Sequence, residues 1–177
     1  MTTMTMEQRL DELGRQTEAL EARARAGGSE PGPRMQRHID ALRRHEARTR
    51  AVTGDARYEA GGKLAQLEAR LDVADRSLAA DAAAGRATYT VAVEEELRSW
   101  DAYLERVQAS AAVRAGRARE RAEAAIREVR RQRLEVGRQL QQLQAGPETG
   151  WRRQKIRVTA AREHLEHTAD DLTTDLR

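Results

Sequence analysis

Apolar residues recur along most of this chain at alternating steps of three and four. Met6, Leu10, Leu13, Thr17, Leu20 and Ala24 follow this spacing, which predicts an amphipathic helix within residues 1–26. Gly27-Gly28-Ser29-Glu30-Pro31-Gly32-Pro33 then stops any helix, so 27–33 reads as a linker. Residues 34–56 read as a short helix and loop. Met35, Ile39 and Leu42 carry the helix, Val52 closes it, and Thr53-Gly54-Asp55 marks its end. With Gly61-Gly62 just beyond, this region is expected to be the least ordered part of the chain.

From Lys63 the pattern strengthens, and residues 57–177 read as one long helical domain. Leu64, Leu67, Leu71, Ala74 and Leu78 form a seam. Gly85 and the β-branched stretch Thr88-Tyr89-Thr90-Val91 weaken it, either as a turn or as a soft spot in a continuous helix. The seam resumes at Val93, Leu97, Trp100, Leu104, Val107 and Ala111. It runs through Ala118 and Ala122 to Ile126, Val129, Val136, Leu140 and Leu143. Gly146-Pro147 ends it, and a hairpin turn is placed at 146–149. Val158, Leu165 and Leu172 recur at sevenfold spacing in a last helix from about Trp151. A single helix from 88 to 144 would be about 85 Å long at about 1.5 Å per residue. The fold expected is all-α: an elongated antiparallel coiled coil or slender helical bundle. In the competing arrangement, 63–144 is one uninterrupted helix paired with a second chain.

Composition narrows the picture. The 177 residues hold 28 Leu, Ile and Val, 32 Ala and no Phe, which suits thin helical seams better than a thick globular core. The absence of Cys excludes disulfides, thiolate metal sites and thiol nucleophiles. Thirty of the 32 basic residues are Arg, the bias of a GC-rich bacterial genome. No apolar leader or span of about 18 residues is visible, so a cytoplasmic location is expected.

The net charge is only +3, but it is segregated. Acids sit four residues before Arg at Asp11–Arg15, Glu21–Arg25, Asp40–Arg44, Glu46–Arg50, Asp72–Arg76, Glu94–Arg98 and Glu123–Arg127, a spacing that places both groups on one water-facing helix flank. Folding back at 146–149 would set Glu163, Glu166, Asp170, Asp171 and Asp175 against Arg117, Arg119, Arg121, Arg127, Arg130, Arg131 and Arg133. An antiparallel, charge-matched hairpin of 117–144 with 151–176 is therefore expected. Arg119 and Arg133 fall near the apolar stripe and are read as snorkelling outward rather than as register-setting charges.

Candidate chemistry is sparse. His164-Leu165-Glu166-His167 puts two imidazoles one turn apart, but neither Glu-x-x-His nor His-Glu-x-x-His occurs, and exposed histidines are the simpler reading. No phosphate-binding Gly-rich loop or Gly-x-Ser-x-Gly is present. No catalytic residue, metal, cofactor or small-molecule substrate is assigned. Arg114, Arg117, Arg121, Arg127, Arg131 and Arg138 could neutralise phosphates of a nucleic acid or an acidic membrane, but no aromatic residue is interleaved for base stacking. Trp100, Tyr103 and Trp151 read as seam or cap contacts rather than membrane anchors.

The run Lys63-Leu64-Ala65-Gln66-Leu67-Glu68-Ala69-Arg70-Leu71, the Ala-rich stretch to Tyr89 and Glu95-Glu96-Leu97-Arg98 resemble short bacterial apolipoprotein-like coiled-coil proteins associated with stress responses. The resemblance covers about a quarter of the chain and implies a small cytoplasmic structural or stress-related helical protein. This chain differs in using Arg for Lys and in its extra N-terminal helix and linker, and no functional residue carries over. The function expected is non-enzymatic: pairing of helices with a protein partner or with a second copy as a homodimer. The alternative is binding of an anionic polymer or membrane through 114–138.

Overall fold

In the computed structural model, residues 5–26, 31–51 and 57–175 are described, with side chains omitted at 57–60 and 173–175. The expected helix end at Thr53-Gly54-Asp55 and the first residues of the Gly/Pro linker lie outside them. The described residues form helices α1 (Met6–Arg25), α2 (Pro33–Ala51), α3 (Arg57–Ala82), α4 (Arg86–Ala112), α5 (Gly116–Ala145) and α6 (Trp151–Asp175), and no strand. A 3-10 turn, Glu148–Gly150, precedes α6.

Local signals set the helix ends. Thr5 accepts a hydrogen bond from the Gln8 amide while Gln8 answers the Thr5 amide, a reciprocal cap that starts α1. Thr88 satisfies the Gly85 amide at the start of α4. The soft spot at 83–85 is thus a turn. The long helix expected over 88–144 is also broken, at Val113-Arg114-Ala115. Gly116 has φ +55, a backbone conformation that costs little only without a β-carbon. The sequence signal was Gly116 itself, read through as part of an Ala-rich helix.

The two breaks fold what would have been a rod into α3, α4 and α5. Pairs across the helices give their directions. Asp72 accepts from Ser99, and Arg76 meets Glu95 at 2.8 Å, so α3 and α4 run antiparallel. Arg133 meets Asp101, and Gln144 meets Glu94, so α4 and α5 do as well. The chain reverses again after Gly146, and α6 packs on α5. The result is a compact bundle rather than an elongated coiled coil.

The physical reason is that α3 has two apolar stripes. Ala69, Val73 and Ala80 join α4, α5 and α6 in one core. Leu64, Leu67 and Ala74 join Leu10, Leu13 and Leu20 of α1 and Met35, Ile39 and Leu42 of α2 in a second. The short helix expected after the linker forms as α2, with Met35, Ile39 and Leu42 on its buried face. Seam residues Leu64, Leu67, Leu97, Trp100, Leu104, Val107, Ile126, Val129, Val136, Leu140, Leu143, Val158, Leu165 and Leu172 are buried within the single chain, while Leu71 and Leu78 are partly covered.

The break before α5 has a clean test. Gly116→Ala should destabilise by about 1–2 kcal/mol, because alanine is strained in the left-handed region. Were α4 and α5 one continuous helix, the same change would stabilise by about 1 kcal/mol. The sign of the shift in urea midpoint distinguishes them.

Candidate functional site

Several polar residues continue the three–four spacing of the apolar seams. On α4 the steps run Tyr89, Val93, Glu96, Trp100, Tyr103, Val107; on α6 they run Val158, Arg162, Leu165, Ala169, Leu172. On α3, Ser77 falls between Val73 and Ala80. These positions place a carboxylate, a guanidinium and a hydroxyl inside the bundle, where Arg34 from the first turn of α2 joins them. Glu96, Arg162, Glu166 and Ser77 are at most 1% exposed, and Arg34 is 6% exposed.

The contacts form one network. Arg34 donates through Nε to Glu166, through Nη1 to Asp81 at 2.8 Å, and through Nη2 to Ser77 Oγ at 2.8 Å and Glu96 at 3.0 Å. Arg162 donates through Nε to the second oxygen of Glu96 at 2.7 Å and through Nη1 to Asp81 at 2.9 Å. It also reaches the Ser77 carbonyl at 3.3 Å. His38 Nε2 lies 3.0 Å from Glu166 Oε1. Two guanidiniums thus bind three carboxylates from α3, α4 and α6. Asp81, with a side chain 37% exposed, is where the network meets water.

Electrostatics keep Glu166 and Arg162 ionised. Burial alone would raise the Glu166 carboxyl, but His38 and Arg34 outweigh it and hold it down at about 2. Burial likewise opposes the charge on Arg162, and Glu96 and Asp81 more than restore it. A carboxylate this firmly held is a weak base, and the guanidiniums are spent on internal partners. The arrangement is suited to fixing four helices in register.

A second station adjoins it. The buried Arg70 guanidinium lies 4.5 Å from the Trp100 ring centroid and 5.7 Å from that of Tyr103, and it donates to Asp170 at 2.9 Å. Trp100 and Tyr103 are thereby removed from the surface. Trp151 is partly buried against Tyr89, with centroids 6.5 Å apart, and Lys155 lies 4.7 Å from the Tyr89 ring.

The hairpin of α5 and α6 forms, but among the described residues its expected charge matching does not. Glu166 and Asp170 serve Arg34, His38 and Arg70, on α2 and α3. Among the described residues, the ion pairs of α5 stay within it or reach α4. Arg133, expected to snorkel, makes a two-pronged bond to Asp101 at 2.8 and 2.6 Å, and Arg119 pairs along its own helix with Glu123. In the Arg-rich stretch, Arg131 and Arg138 are each neutralised by a Glu three residues earlier, Glu128 and Glu135. Arg114 is partly exposed; Arg117, Arg121 and Arg127 are exposed and make no ion pair among the described residues. Of the seven i,i+4 pairs expected, Glu21–Arg25, Glu46–Arg50 and Asp72–Arg76 form.

His164 and His167 are exposed, and no group of three or more His, Asp or Glu residues is set to hold a metal among the described residues. No described helix is long and apolar enough to cross a membrane. A groove of about 330 Å³ lies between α1 and α3, floored by Leu20 and Leu71 and edged by Glu68, Asp72, Asp75 and Arg23. In comparisons with known proteins, no family model, curated protein or solved structure matches the chain.

Removing one member of the network should be costly. Arg162→Met leaves Arg34 as the one guanidinium among Glu96, Asp81 and Glu166 and should destabilise by about 3–5 kcal/mol, whereas the exposed Arg131→Gln should change stability by less than about 1 kcal/mol. Chemical denaturation of both variants checks this. Because Glu166 titrates lower in the folded chain than when unfolded, its contribution is present above about pH 4.5 and lost as pH falls toward 2. A denaturation series across that window should show Glu166→Gln flattening the loss.

Proposed function

We propose that this chain is a non-enzymatic helical interaction protein that associates with further copies of itself through the outside of the bundle. The observation that carries the reading is the incomplete cover of the second stripe on α3. Leu71 and Leu78 are only partly buried there, and the groove beside Leu71 remains open. Its lining includes Glu68, Asp72 and Asp75, which pair with Arg9, Arg76 and Arg23 and remain partly exposed at the groove's edge.

Such a groove suits a helix that is apolar along one line and basic on its flanks. The α5 helix of another copy has this chemistry. Leu134 is 65% exposed and lies beside Arg127 and Arg130 at helical spacing. A groove on one copy taking a helix from the next is a head-to-tail contact, which builds chains or rings rather than a closed two-fold dimer. The resemblance to small bacterial structural or stress-related helical proteins, and a cytoplasmic setting, fit this reading.

Sedimentation velocity over a wide concentration range tests it. Growth to assemblies larger than a dimer is expected, and Leu134→Glu should reduce it while leaving the monomer folded. A strict monomer at every concentration would overturn the reading. The second reading is favoured by Arg117, Arg121 and Arg127, which lack ion-pair partners among the described residues. It expects retention on DNA or acidic vesicles at low salt that weakens as salt rises.

A further inference from the structure

The turn between α4 and α5 is slight. Val113 is still helical at φ −84 and ψ −4; Ala115 is extended, and Gly116 has φ +55. No side chain caps α5 at Ala115. Ala112, Val113 and every residue from Ala115 to Arg121 are exposed, and Ala122 is the first residue of α5 to be buried. The register of the two helices accounts for this overhang. Glu94 of α4 meets Gln144 of α5, Asp101 meets Arg133, and Gln108 meets Arg130. Steps forward along α4 match steps back along α5, and the two series converge near residue 118. The first two turns of α5 therefore run past the end of α4 at Ala112.

The same stretch is suited to a straight helix. Residues 111–122 read Ala-Ala-Val-Arg-Ala-Gly-Arg-Ala-Arg-Glu-Arg-Ala, mostly strong helix formers around one glycine. The three–four spacing of Leu104, Val107 and Ala111 passes through Ala115 to Ala118, Ala122, Ala125 and Val129 without a phase shift. An unbroken helix would keep the buried seams of α4 and α5 on one line. We propose that Ala115–Gly116 is the hinge of a domain-swapped dimer: α4 and α5 straighten into one helix, and each copy's α5–α6 hairpin docks on α2, α3 and α4 of a second copy.

The ion pairs Arg133–Asp101, Arg162–Glu96, Arg162–Asp81, Glu166–Arg34 and Asp170–Arg70 each join residues on opposite sides of the hinge. All of them re-form between copies. The register then sets the overhanging turns of the two copies side by side and antiparallel, with Ala118 near the two-fold axis. Closed and exchanged forms differ chiefly at the hinge, the condition under which exchange of identical elements yields a dimer at low cost. Gly116 favours the closed form, since glycine takes a positive φ freely and is poor within a helix. Arg117 and Arg121 of the two copies approach at the axis, a repulsion that salt screens. Exchange breaks the buried network in passing, so the two forms interconvert slowly. It uses no part of the groove between α1 and α3 and is independent of head-to-tail assembly.

The test uses the full chain carrying Leu134→Glu, to suppress head-to-tail growth. It is unfolded in urea, refolded at high protein concentration and high salt, and resolved by size-exclusion chromatography. A dimer peak beside the monomer is expected. Gly116→Ala penalises the turn and favours the helix at both hinges, and should raise the dimerisation constant about a thousand-fold. Ala118→Pro is tolerated in the first turn of α5 but breaks a continuous helix, and should give a folded monomer with no dimer peak. The chain has no Cys, so Glu105→Cys and Arg131→Cys take spin labels at those two positions alone. Labelled chain is diluted with unlabelled before refolding. The labels should lie within about 25 Å in the monomer, across neighbouring helices, and about 40 Å apart in the dimer, along about 26 residues of one helix. A dimer that keeps the short distance, or that withstands Ala118→Pro, would overturn the proposal. So would the absence of a dimer from both this chain and its Gly116→Ala variant; growth on restoring Leu134 would then leave head-to-tail assembly standing alone.

Discussion

Two guanidinium groups, almost wholly withdrawn from water, sit among carboxylates where four helices meet. Withdrawing such charges is expensive, and the cost is offset only if each finds its partners with good geometry. That requirement constrains the packing. Arg34 reaches Glu166, Asp81, Ser77 and Glu96 only if α2 lies across α3, α4 and α6 in one register, and Arg162 reaches Glu96 and Asp81 only if α6 runs beside both α3 and α4. Apolar seams rich in Ala and Leu would slide past one another at little cost. A charged network cannot, because each slip leaves a buried ion alone. The network supplies the uniqueness that the thin cores lack.

The same principle explains how an Arg-rich chain with few large apolar residues forms a compact bundle. Where a larger core would use aromatic residues, α3 and α6 insert Arg70 and Arg162, whose guanidiniums lie near the rings of Trp100, Tyr103 and Tyr89. The planar, weakly hydrated guanidinium fills volume and satisfies carboxylates together, which a lysine cannot do in the same way. Elsewhere on the chain, arginine remains a solvated group. Arg131 and Arg138 fold back on the preceding turn of α5, and the exposed pairs there contribute little.

Much of the architecture was legible in the sequence. The three–four spacing of leucine and valine marks the helices, and Gly146-Pro147 marks the reversal between α5 and α6. The network was not legible, for a physical reason. An acid or base within a helix reads by default as facing water, and most of these do. Glu96 and Arg162 stand at core spacing, between Val93 and Trp100 and between Val158 and Leu165, and that coincidence was the available signal. It could show that those side chains point inward, but not where their partners lie. Arg34 is 132 residues from Glu166, and only the packing of α2 on α6 brings them together. The tendency of α6 acids to meet α5 arginines was misjudged for the same reason: the pairing was inferred from sequence proximity across one turn, whereas Glu166 and Asp170 face α2 and α3. The break at Gly116 escaped because its neighbours are good helix formers.

A double-mutant cycle between Arg34 and Glu166, using Arg34→Met, Glu166→Leu and the combination, measures the central interaction directly. If the buried ion pair ties α2 to α6, each single variant is strongly destabilised, the double variant recovers much of the loss, and the coupling energy is about 2 kcal/mol or more. A coupling below about 0.5 kcal/mol, as for a pair of solvated surface charges, would contradict the account.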